Sequence, residues 1–136
     1  MAQREGTYQS RAGDLRVSVE PAYQPSQSHP ERGLYVWSYN VEIANEGVET
    51  VQLLSRRWEI TDAMGRVEIV EGDGVVGEQP VLQGGQSHAY TSGCPLPTPS
   101  GIMRGSYVMR RADGSLFEIE IPAFSLDLPN TTASLN

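Results

Sequence analysis

Between residues 35 and 45 the chain alternates: Tyr35, Trp37, Tyr39, Val41 and Ile43 are apolar or aromatic, and most residues between them are polar. A period of two is the signature of a strand with one buried face, and it excludes an amphipathic helix here. Residues 50–61 follow the same grammar, with Leu54, Trp58 and Ile60 on one parity and Leu53, Ser55, Glu59 and Thr61 on the other. Arg56 shares the parity of Trp58 and Ile60, so either a bulge resets the register or its guanidinium reaches a buried partner. Asn45, Glu46 and Gly47 separate the two runs with turn chemistry, which predicts that they pair as an antiparallel hairpin.

Further strands are expected over 14–23, 66–70, 87–92, 102–111 and 116–121, punctuated by Met64 and Gly65, by Gly84 and Gly85, and by Asp113 and Gly114. The Asp-Gly pair is the clearest tight-hairpin signal in the chain. Residues 24–33, rich in Pro, Ser and Gln, and residues 93–101, with three prolines, read as long connections. No stretch spaces its apolar residues by three and four, so the chain is predicted to be all-β: an antiparallel β-sandwich of seven to eight strands, with a closed barrel as the alternative. At 136 residues it makes one domain, 14–128, which buries roughly two thirds of the surface its unfolded form exposes. Residues 1–13 and 129–136 are polar, lack alternation, and are expected to be loose. A single cysteine, Cys94, excludes the Cys…Trp…Cys immunoglobulin subtype, whereas a fibronectin-type sandwich needs none.

Composition removes several functions. A formal charge of −7 opposes broad attraction to nucleic acid or anionic lipid. All ten basic residues are arginines, so Schiff-base, phosphate-loop and general-base lysines are absent. No window approaches the roughly 18 apolar residues of a membrane span. The first residues carry no secretory signal, which makes cytoplasm the expected location. His29, His88 and Cys94 form no ligand pair, so no metal site and no cofactor are predicted. Glu68, Glu71 and Asp73 read as a solvated acidic surface. Neither histidine sits in a recognisable triad setting, and no catalytic residue is assigned.

Gly72, Gly74 and Gly77 spell G-x-G-x-x-G, the dinucleotide signature, which works by ending a strand and opening a helix onto a pyrophosphate. Pro80 and a β-rich run follow instead of a helix. The glycines therefore read first as turn residues adopting positive φ. The second reading is an anion-binding concavity served by Arg56, Arg57 and Arg66, taking pyrophosphate, a phosphorylated compound or a hydrated divalent ion. Asp73 and Glu71 beside the loop oppose an anion.

Four blocks carry a resemblance: residues 51–61, residues 72–80, Tyr90 to Gly93, and Met103 to Tyr107. In this order they resemble the ApaG family from about Val17 to Leu128. The resemblance implies a fibronectin type III-like sandwich, an association with cobalt and magnesium tolerance, and no established enzymatic activity. A soluble module that binds a protein partner is therefore expected, with the Pro-rich connections or an unpaired sheet edge as the surface, and with a homodimer through such an edge as one form.

Overall fold

The structure, a computed structural model, describes residues 7–129. Nine strands are present among them: β1 (Tyr8–Ala12), β2 (Leu15–Tyr23), β3 (Tyr35–Asn45), β4 (Val51–Asp62), β5 (Val67–Asp73), β6 (Val81–Leu82), β7 (Ser87–Leu96), β8 (Gly101–Arg111) and β9 (Leu116–Leu126). One sheet runs β1-β2-β3-β7; the other runs β5-β4-β8-β9, with the short β6 also on β4. Every pairing is antiparallel, and the two sheets face each other as a β-sandwich.

The alternation of β3 translates directly into packing. Trp37, Tyr39, Val41 and Ile43 are buried, and they meet Leu53, Trp58, Met103, Tyr107, Met109 and Phe124 of the second sheet. The Trp58 ring stands edge-on to Phe124 at 5.9 Å between centroids and to Tyr39 at 5.2 Å. Each large side chain buried in this way contributes about 1.5–3 kcal/mol. The β8–β9 hairpin closes through Asp113 and Gly114 as their sequence predicts: Asp113 Oδ1 accepts the Ser115 N–H at 2.9 Å, and Gly114 takes φ +89°.

The expected β3–β4 hairpin is corrected. β3 pairs with β2 and β7, β4 with β5 and β8, so the turn after Asn45 carries the chain from one sheet into the other. Asn45 explains the arch. Its N–H goes to Gln86 O at 2.9 Å and its carbonyl takes the Gly85 N–H at 2.8 Å. Its side-chain amide donates to Glu49 O at 2.7 Å and Leu82 O at 3.0 Å, while Oδ1 accepts the Gly47 N–H at 3.0 Å. A buried amide so fully partnered holds the crossing in place. Asn45→Ala orphans three backbone groups, and a loss of about 2 kcal/mol is expected, read as a lower urea midpoint at unchanged m.

Three further differences are local. Within the segment expected to be loose, Tyr8–Ala12 forms β1, because Tyr8 packs on Phe124 and the β2 edge supplies a template. The expectations for residues 1–6 and 130–136 lie outside the described residues. The connection expected over 93–101 starts later, since β7 continues through Cys94 and Pro95 to Leu96; a proline is tolerated because β7 is an edge. β9 likewise runs on to Leu126 past a register shift between Met103 and Gly105 on β8.

Candidate functional site

The G-x-G-x-x-G stretch is an excursion in an edge strand. β5 and β6 both pair with the same side of β4, Asp73 opposite Ser55 and Val81 opposite Gln52, so residues 74–80 bridge one continuous edge. Opposite them lies the register shift between Leu53 and Ser55 in the β4–β8 ladder, which makes Leu54 an extra residue. The Leu54 carbonyl accepts the Gly74 N–H at 2.8 Å and Gln79 Nε2 at 2.9 Å, and the Leu53 N–H reaches Pro80 O at 3.0 Å. Between these ties, Val75 and Glu78 exchange both backbone bonds around Val76 (φ +47°) and Gly77 (φ +79°). Positive φ at both central residues is the tight hairpin turn of type I′. Val75 itself plugs the core.

The bulge also resolves the parity of Arg56. Before it Val51 and Leu53 face inward; after it Arg56, Trp58, Ile60 and Asp62 do. Both sequence alternatives hold at once, since the half-buried guanidinium finds a partner too. Arg56 Nη1 donates to the carbonyls of Asp73 at 3.1 Å and Gly74 at 2.9 Å. The guanidinium lies across Gly72: a Cβ placed there would stand 2.9 Å from Nη1 and 3.0 Å from Nη2.

Of the predicted anion set, Arg56, Gly72 and Gly74 come together. Arg57 faces the outer side of the sheet and pairs with Glu71 at 3.2 Å. Arg66 sits in the turn before β5, held through its backbone by Asp62, roughly 20 Å along the strand from Gly72. Gly77 occupies the turn tip. The amides of Gly74, Val75 and Glu78 are used on carbonyls, and the carbonyls of Asp73 and Gly74 face Arg56. The loop therefore offers oxygens to its own arginine.

The two flanks of the sandwich differ. On one, β1 and β2 meet β9, with Tyr8 Oη 3.2 Å from Ser125 Oγ and Ser10 Oγ donating to Glu120 O at 3.0 Å. On the other, β5 and β7 each pair on one side only, and a cleft of about 210 Å³ opens between the sheets. Its walls are Tyr39, Trp58, Ile60, Val70 and Met103, with Arg56 and Glu68 among the lining residues and Ser92, Gly93 and Cys94 from β7 opposite. A second cleft of about 170 Å³ continues it past Glu68 to Pro97. The indole N–H of Trp58 is buried without an acceptor. Among the described residues no carboxylate pairs with Arg56, and no arginine pairs with Glu68.

Burial sets the proton affinities near this cleft. It raises Tyr39, whose hydroxyl bonds Ser92, with the Arg56 charge acting weakly in the other direction. Tyr90 and Tyr107, whose hydroxyls are 2.5 Å apart, are both held above the ordinary phenol range by burial. The Cys94 thiol is pushed up to about 11 by burial and by the Glu68 charge. At neutral pH it is a thiol, poor as nucleophile or ligand. His88 lies six residues from it along β7, roughly 20 Å away, and His29 lies beside Glu31 in the Pro-rich loop. Among the described residues no three His, Cys, Asp or Glu side chains gather as a metal site.

A family model described as the ApaG domain matches residues 25–111. The chain belongs to the ApaG family. It is 54% identical to "Protein ApaG" of Caulobacter vibrioides over 140 residues, spanning all of both chains. It is 58% identical to the protein of that name from Rhodospirillum centenum, covering 90% of this chain and 95% of the relative. The crystal structure of an ApaA protein from Bordetella pertussis superimposes with a TM-score of 0.84 at 51% identity, over 87% of this chain and 96% of that one. This ApaG-family member contributes cleft residues that its sequence did not single out as a site. Tyr39 and Trp58 read as core and Glu68 as solvated surface, and each also is so: the two aromatic residues are buried and Glu68 is exposed at the mouth of the cleft. The signal for Glu68 was present in β5, where a carboxylate occupies the phase of Val70 and Gly72, but nothing in a single strand says which phase faces inward.

Proposed function

We propose that this ApaG-family protein is a non-catalytic binding module whose β5 edge takes an extended segment of a protein partner as an added strand. One observation supports the reading above the others: all four outer strands have a free edge, but side-chain hydrogen bonds tie β1 to β9 on one flank, whereas on the other β5 and β7 stand apart across a cleft. β5 is seven residues long, and Val67 and Ile69 are 55% and 43% exposed on its outer face. Long edges with exposed apolar residues are templates for another chain. The cleft volume also matters. Pockets that hold a whole drug-sized ligand run to roughly 300–1,000 Å³, whereas this one suits a single side chain. A phosphorylated ligand at the glycine loop is the weaker alternative, because the amides of Gly74, Val75 and Glu78 are already engaged. The association with cobalt and magnesium tolerance is read as acting through the partner, in the cytoplasm; among the described residues no helix is long and apolar enough to cross a membrane.

The test is affinity capture with the native chain and with the double variant Val67→Lys, Ile69→Lys, quantified by mass spectrometry. Both side chains are exposed, so stability should change by less than about 0.5 kcal/mol. A protein held by the native chain should fall at least tenfold with the double variant and persist with Val48→Lys, which alters a residue 96% exposed in the arch between the sheets. Identical captures from all three would remove β5 from consideration. A concentration-dependent dimer that the double variant abolishes would put a second copy of this chain on the edge instead.

A further inference from the structure

We infer that the segment received by β5 carries an acidic, an apolar and a basic residue at alternate positions, in that order from its N-terminus. This rests on the reading of β5 as the docking edge and specifies the chemistry of the occupant. The ladder sets three rows on the inward face: Gly72 with Arg56, Val70 with Trp58, and Glu68 with Ile60. An added strand lies ~4.8 Å beyond β5 and extends each row by one side chain. Its alternate residues therefore meet three different environments.

At the first row the edge residue is a glycine, and the Arg56 guanidinium covers the place its side chain would fill. Nη1 is anchored on two carbonyls, which leaves Nη2, 3.0 Å from the Cβ position of Gly72, as a donor beside the edge glycine. A half-buried cation with no carboxylate among the described residues is incomplete, and an aspartate or glutamate on the incoming strand completes it. At the second row Val70 borders the cleft over Trp58, Tyr39 and Met103, which admits one apolar side chain. At the third row Glu68 lines both clefts and has no cationic partner among the described residues, so it selects a lysine or arginine. The remaining carboxylates of β5 do not interfere: Glu71 and Asp73 have the opposite phase, and Glu71 is held by Arg57. Direction follows from pairing. Antiparallel ladders are slightly more stable per residue, and every pairing in this molecule is antiparallel. Antiparallel to β5, the residue opposite Gly72 comes first.

The experiment titrates the full chain, with labelled amides, against two blocked peptides up to millimolar concentration: Thr-Glu-Thr-Leu-Thr-Lys-Thr and the charge-reversed Thr-Lys-Thr-Leu-Thr-Glu-Thr. The first should move the amides of Val67 to Asp73 and bind tighter by a few-fold to about twenty-five-fold, since each of the two exchanged pairs is worth up to about fivefold. Glu68→Lys, an exposed change that should leave the fold intact, should transfer the preference to Thr-Glu-Thr-Leu-Thr-Glu-Thr. Equal affinity of the two peptides for β5, or tighter binding of the reversed one, overturns the charge order and leaves the edge reading standing. Silence of the β5 amides toward every peptide overturns both.

Discussion

Gly105→Ala is expected to destabilise the protein by about 3 kcal/mol or more, which for a marginally stable domain approaches loss of the native state. Gly105 sits in β8 opposite Trp58 of β4 and Ile121 of β9. A methyl group there would overlap the Arg57 carbonyl oxygen and stand 3.1 Å from Trp58 Cε3. Neither obstacle is free to retreat. The carbonyl belongs to the central ladder of the sheet, and the indole is wedged between Tyr39 and Phe124. Overpacking usually costs 1–3 kcal/mol when side chains can adjust, and contact with backbone in a central strand places this site at the upper end. Gly77→Ala is the control, because a Cβ at Gly77 meets nothing within 4 Å and has only its positive φ against it. Urea midpoints measure both. A Gly105→Ala protein as stable as the Gly77→Ala one would show that β4 and β8 do not approach as closely as described.

Alkaline pH should unfold the protein well before its backbone is chemically at risk. Cys94, Tyr39, Tyr90 and Tyr107 all have folded pKa values raised by burial. A raised folded pKa means that the native state keeps a proton the unfolded chain releases. Its stabilising contribution is complete below the unfolded pKa and disappears as pH rises toward the folded one. The loss therefore begins near pH 9 with Cys94 and is progressive to about 11, with the tyrosines adding to it above pH 10. Each group removes up to about 1.4 kcal/mol per pH unit while it titrates. Urea midpoints between pH 7 and 11 should fall steeply, and Cys94→Ser should flatten the part below pH 10. Tyr107→Phe should flatten the part above it, although loss of one hydroxyl from the 2.5 Å pair lowers stability at neutral pH by about 1–3 kcal/mol. A midpoint independent of pH up to 11 would mean that these groups are solvated.

The fold was legible in the sequence because its strongest signals are local. The alternation of β3 and the Asp113-Gly114 turn each contain their own instructions, and both appear where the residues put them. What a single strand cannot express is its neighbour. The Asn45 turn is compatible with a hairpin or with an arch, and the arch is decided by Leu82 and Gln86, some forty residues away. β1 contains one large apolar residue and exists through the edge it leans on. The site shows the same division. Pro80 and the β-rich run after the glycines already exclude a helix for them to cap, and the ambiguous parity of Arg56 marks a real bulge. The cleft was invisible, because it is a property of two strands that do not pair: β5 and β7 border it from separate sheets, and no motif spans them.

The unequal flanks give the molecule the construction of a bound book. Tyr8, Ser10, Ser125 and Glu120 stitch the spine, where the covers meet through hydrogen bonds. Along the fore-edge the hydroxyl pair of Tyr90 and Tyr107 clasps the covers inside the core, while at β5 they meet through packed side chains, and spreading them there breaks no rung of either ladder. The least resistant way for this sandwich to gape is thus toward Arg56, Trp58 and Glu68, with the far margin serving as the hinge.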